Sequence, residues 1–153
     1  MAAAMYVKIR GYHIDLNGHL NHARHIRFME EARWDYFDQN PRIASVFAEH
    51  NISHATVHLC IDYHHPAVLG DTLRIETGIV KKSRRSITFG QKIFVHGTGR
   101  LASDARVVNV YFFQNSGQTI ETSDPLFAEW DDLRQAPLEE NGCGRDRLPV
   151  QEV

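Results

Sequence analysis

A lone carboxylate stands in a Gly- and Asn-rich loop, Asp15-Leu-Asn-Gly18-His19-Leu-Asn21, and a helical pattern from Ala23 to Phe37 follows at once. Free backbone N–H groups at a helix start favour negative charge. A carboxylate acting as nucleophile or base, beside donors able to hold a developing oxyanion, suits acyl transfer. The same residue types are also ordinary caps, because Asp, Asn and Gly before a helix satisfy its first N–H groups. Spacing alone leaves both readings open.

The elements around this loop follow from pattern. Met5 to Tyr12 alternates with period two and predicts a strand. Asn21 is the N-cap candidate, and Asn40-Pro41 stops the helix near Asp38. On a helical wheel Arg24, Arg27, Glu31, Asp35 and Asp38 share one side; Ile26, Phe28, Met29, Ala32, Tyr36 and Phe37 form a broad apolar arc. Arg33 falls inside that arc, and Glu30 one turn earlier predicts an i,i+3 ion pair with it. Pro41 to His50 reads as a second short helix.

Strands are then expected at Thr56–Tyr63, Thr72–Val80, Ser86–Val95 and Leu101–Gln114, and the last, apolar on both faces from Val107 to Phe113, reads as a central strand. Asp124-Pro125 starts a short helix to about Leu133. One long helix followed by antiparallel-looking strands predicts an α+β layer, a sheet curled around the helix, with an open edge suited to a second subunit. A single domain over 5–134 is expected, with 1–4 a disordered or added start and 135–153 a polar, disordered tail.

Bulk composition narrows the partners. The chain has 153 residues and a net charge of -2 with His neutral, so it carries no electrostatic footprint for nucleic acid or a membrane surface. With no apolar run of spanning length and nothing like a signal peptide, a cytoplasmic place is expected. Cys60 and Cys143 sit in unlike segments, so no disulfide between them is expected. Of ten His, His13, His19, His22 and His25 cluster near the loop, and His54, His58, His64 and His65 form a second group. Zinc is not expected: the first group lacks an H-E-x-x-H frame, and His54 and His58, sharing a strand face, stand ~13 Å apart.

The stretch from Asp15-Leu-Asn-Gly-His-Leu-Asn21 to Glu30-Glu-Ala-Arg33 resembles the D-x-x-G-H-x-N…EEAR signature of hotdog-fold acyl-CoA thioesterases. The nearest group is the 4-hydroxybenzoyl-CoA thioesterase type, which includes the long-chain acyl-CoA thioesterases of bacteria. Tyr63-His-His-Pro66-Ala67 with Leu69-Gly70-Asp71 is similar to that family's second recurring stretch. The resemblance implies a hotdog fold, a long helix gripped by a five-stranded antiparallel sheet. It also implies a homodimer, or a homotetramer built from it, with active sites between subunits.

Carried over, Asp15 is the catalytic carboxylate, attacking the thioester or activating water, and the His22 backbone N–H polarises the carbonyl. Gly18, His19 and Asn21 match motif positions around that turn. Lys81, Lys82, Arg84 and Arg85 fall where the family meets the nucleotide end of coenzyme A, though a polar hairpin also accounts for them. His13, His22 and His25 depart from the family's usual residues. No cofactor is implied, since coenzyme A belongs to the substrate. Two other readings stay open: a hotdog hydratase or dehydratase acting on enoyl-CoA, and a non-catalytic acyl-CoA or acyl-carrier binding protein.

Overall fold

Asn21 begins the long helix as its sequence predicts: its side chain accepts the Ala23 N–H at 2.9 Å. The helix ends where Asn40 turns back and its Nδ2 donates to the Tyr36 carbonyl at 2.7 Å, and Pro41 opens the next helix. The computed structural model describes residues 3–132. In chain order these form β1 (Ala3–Lys8), a 3₁₀ turn (Gly11–His13), α1 (His22–Asp38), α2 (Pro41–Glu49), β2 (Ile52–Tyr63), β3 (Thr72–Ser83), β4 (Ser86–Val95) and β5 (Arg100–Phe113). A second 3₁₀ turn (Pro125–Phe127) and α3 (Glu129–Asp132) close the described part, so the expected helix end at Leu133 and the tail from 135 onward lie outside it.

The five strands form one antiparallel sheet in the order β1-β3-β4-β5-β2. β4 is the middle strand, and β5, paired with β4 on one side and β2 on the other, is an inner strand as its pattern predicts. Bulges in β2, β3 and β5 add local twist, which bends the sheet around the helix. The long helix against a five-stranded antiparallel sheet is the arrangement the resemblance implied.

α1 lies over β1 and β3. Phe28, Met29 and Ala32 pack there against Ile9, Leu73, Ile75 and Ile93. Toward its C-terminus Tyr36 enters a second, aromatic core with Phe89, Tyr111, Phe127 and Trp130. The buried stripe is narrower than the predicted arc: Ile26 and Phe37 are half-buried.

Several boundaries and faces differ from the pattern reading. β1 begins at Ala3, because Ala3 and Ala4 pair with Thr77 and Glu76. β2 begins at Ile52, since β5 is long enough to pair with residues 52–55 as well. The bulge between Thr56 and His58 then reverses the alternation. His54 stands opposite Tyr111 and His58 opposite Val108, so the two point to opposite faces instead of sharing one. Cys60 is disulfide-bonded, against expectation; Cys143 lies outside the described residues.

Arg33 makes no ion pair with Glu30. Its Nη1 donates to Gln91 Oε1 at 2.7 Å, and Gln91 Nε2 donates to the Met29 carbonyl at 2.8 Å and Thr77 Oγ1 at 2.9 Å. Gln91 is 1% exposed, so one amide satisfies polar groups of α1, β3 and β4 in the core. Gln91→Leu should therefore destabilise the fold by about 2–3 kcal/mol, read by urea unfolding, because it leaves Arg33 partly buried without its acceptor.

Candidate functional site

The loop between the first 3₁₀ turn and α1 is a short hairpin built on Asp15. The Asp15 N–H donates to the His19 carbonyl at 2.8 Å, and the Gly18 N–H to the Asp15 carbonyl at 3.1 Å. Gly18 has φ +76°, a left-handed conformation that a side chain would strain. Asp15 Oδ1 accepts the N–H groups of Asn17 at 2.8 Å and His19 at 3.1 Å. One carboxylate oxygen is thus pinned by backbone, and Oδ2 has no hydrogen bond among the described residues. The hairpin is itself anchored: Leu20 N–H donates to the Ala67 carbonyl and Asn21 N–H to the His13 carbonyl.

At the helix start, Asn21 takes the Ala23 N–H with its side chain and the Arg24 N–H with its carbonyl. The His22 N–H is left without an acceptor among the described residues. Asp15, Gly18, His19, Asn21 and His22 are thereby gathered at one helix N-terminus. His19 contributes through its backbone. Tyr63, at the end of β2, donates its hydroxyl to the His22 carbonyl at 2.9 Å and stacks edge-on against His25 at 5.0 Å. This tie was not read as functional in the sequence, although Tyr63 opens the second recurring stretch.

Exposed apolar side chains surround the loop: Tyr12, Leu16, Tyr63, Val68 and Leu69. A cluster of this kind beside a polar loop marks a surface that another molecule covers.

Two of the three departing histidines, His13 and His25, are structural. His13 is 5% exposed; its Nδ1 accepts the Arg10 N–H at 2.9 Å, and its ring packs on Phe28 at 4.9 Å. His25 is 4% exposed and pairs with Ser103 Oγ at 2.8 Å. Neither bonds to Asp15. Burial lowers the pKa of both, that of His25 to about 4. No group of three or more His, Cys, Asp or Glu among the described residues could hold a metal ion.

The basic run lies elsewhere. Lys81 and Lys82 end β3, and Arg84 and Arg85 make the turn into β4, at the end of the sheet opposite the loop. β3 alone spans ~36 Å between its two ends. Lys82 pairs with Asp131 at 2.9 Å, and Arg84 and Arg85 approach Glu121 at 2.8 and 3.9 Å. The structure does not bring these cations to Asp15 of the same chain.

The buried histidines make stability depend on pH. His25 titrates near its ordinary value when unfolded and near 4 when folded, so the unfolded chain binds the proton first. Stability should fall as pH drops from ~6.5 towards ~4, by about 2 kcal/mol at about pH 5 relative to pH 7.5. Urea unfolding at these values checks this, and His25→Phe should flatten the slope.

A family profile described as "Thioesterase-like superfamily" matches residues 9–136. The chain is 36% identical over 104 residues to the long-chain acyl-CoA thioesterase FadM of Escherichia coli (strain K12), covering 68% of this chain and 78% of that protein. Its fold matches the probable thioesterase YbaW from Escherichia coli with a TM-score of 0.75 and 28% identity, covering 86% of this chain and 98% of the other. It also matches Slr0204, a 1,4-dihydroxy-2-naphthoyl-CoA thioesterase from Synechocystis, with a TM-score of 0.73 and 17% identity, over 85% and 96% of the two chains. With the hotdog arrangement and the loop at the α1 N-terminus, the match over most of its length makes this chain a thioester hydrolase of the thioesterase-like superfamily.

Proposed function

We propose that the protein hydrolyses acyl-CoA to a free carboxylic acid and coenzyme A, with Asp15 as the reacting carboxylate and the His22 N–H as oxyanion donor. The observation that carries this is the division of labour at the loop. Asp15 is held by one oxygen while the other is unclaimed, and the cap takes the N–H groups of Ala23 and Arg24 but leaves that of His22 without an acceptor among the described residues. A thioester carbonyl polarised by that N–H develops negative charge at the positive end of the helix dipole.

Oδ2 then serves in one of two ways. It attacks the carbonyl carbon, expels the thiolate of coenzyme A and leaves an acyl-Asp anhydride for water to open. Alternatively, it takes a proton from the water that attacks directly. The Escherichia coli relative, a long-chain acyl-CoA thioesterase, supports the substrate class.

We further propose a homodimer seamed at β2, an edge strand of 12 residues on which Val57 is 58% exposed. Antiparallel pairing of two β2 edges would turn the partner's basic hairpin to the sheet end where Asp15 lies, which gives that hairpin a route to the phosphates of coenzyme A.

Asp15→Asn keeps an oxygen for the two loop N–H groups but removes the carboxylate. Thiol release from acyl-CoA should fall by about 10²-fold or more in Asp15→Asn and Asp15→Ala, and unchanged turnover in both would refute the assignment. Single turnover in ¹⁸O water, followed by mass spectrometry of the Asp15 peptide, separates the two roles, because only the anhydride route can label the carboxylate. Sedimentation should give a dimer mass that Val57→Lys shifts towards monomer.

A further inference from the structure

A cavity of about 370 Å³ lies at the opposite end of α1 from the loop, walled by Trp34, Phe37, Ala44, Phe47, Ile52 and His54. We infer that it receives the far end of the acyl chain and sets the chain length the enzyme accepts. The inference rests on the acyl-CoA thioesterase reading and adds to it a specificity site.

Three observations converge on this cavity. The first is length. From His22 to Trp34 the helix rises ~18 Å, so a chain whose carbonyl sits at the His22 N–H reaches the cavity only if it is long. The second is continuity. Tyr63 and His54 lie on the same inner face of β2, opposite Ser103 and Tyr111. Tyr63 touches the start of α1, and the His54 ring meets the Trp34 ring at 5.9 Å near the other end. Half-buried Leu59 and Ile61 lie between them on that face, while α1 rests on β1 and β3. Thr56 shares that face with its hydroxyl donated to Asn109 Oδ1 at 2.9 Å, so a largely apolar strip of β2 runs beside the helix from the loop to the cavity.

The third is closure. Behind the wall, Phe47 stacks on Trp130 at 5.7 Å and packs against Tyr111 at 5.4 Å, and both of those rings are buried. The cavity is blind on that side, and a chain end that fills it goes no further. The polar groups at its edge are Asp38, Ser53 and His54. Burial, and then the charge of Arg33, lowers the pKa of His54, so the ring is neutral at ordinary pH and suits an apolar neighbour.

The test is kcat/KM over saturated acyl-CoAs from butanoyl to octadecanoyl. Ala44 is an exposed residue of α2, so Ala44→Trp fills the cavity without opening the core. It should lower the ratio of hexadecanoyl to butanoyl kcat/KM by about tenfold or more, and Trp34→Ala should move the optimum to longer chains. An equal change at every length in both variants, or none, overturns the inference.

A second measurement does not need turnover. Binding of a non-hydrolysable hexadecyl-CoA thioether should perturb Trp34 emission, recognised as the part of the signal lost in Trp34→Phe, and Ala44→Trp should weaken that binding. Absence of thiol release with intact, Ala44-sensitive binding would overturn the hydrolysis reading alone. Hydrolysis with no Trp34 response and no Ala44 effect would overturn the cavity's role alone.

Discussion

The structure depends on one constraint: a single helix must cover the inner face of a five-stranded sheet, and its apolar stripe is too narrow to do so by hydrophobic contact alone. Phe28, Met29 and Ala32 seat α1 on β1 and β3. Gln91 then joins the helix to the strands through Arg33, Met29 and Thr77. A polar group buried in this way costs free energy when unmatched, so it favours one rotation of the helix over others. In that orientation α1 rests on β1 and β3 rather than on β2.

The β2 side is where function gathers. Along β2, Tyr63 meets the helix start and His54 meets its end, so one edge strand links the Asp15 loop with the aromatic cavity. The same strand is the longer of the two sheet edges and exposes apolar surface. A chain with one buried face, one helix and a long uncovered edge has a physical reason to meet a second copy. Catalytic loop, acyl path and subunit seam would then be parts of one surface.

The histidines illustrate a division that residue type cannot make. His13 and His25 are walls, neutral and packed, although they lie within a few residues of Asp15. His19 meets Asp15 and His22 meets Tyr63 through backbone groups, which any residue could supply.

The sequence by itself determined what is local. Asp15, Gly18, Asn21 and the helix after them interact over a few residues, so their spacing reveals the hairpin, the cap and the helix start. The motif they form also resembles that of the superfamily to which the chain belongs. Tertiary structure decided what depends on partners distant in the chain: the middle place of β4, the start of β2 at Ile52, the bulge that parts His54 from His58, the turn of Arg33 to Gln91, and the cavity behind Trp34. Strand pairing and core hydrogen bonds join residues tens of positions apart, and no local period records which partner each will find.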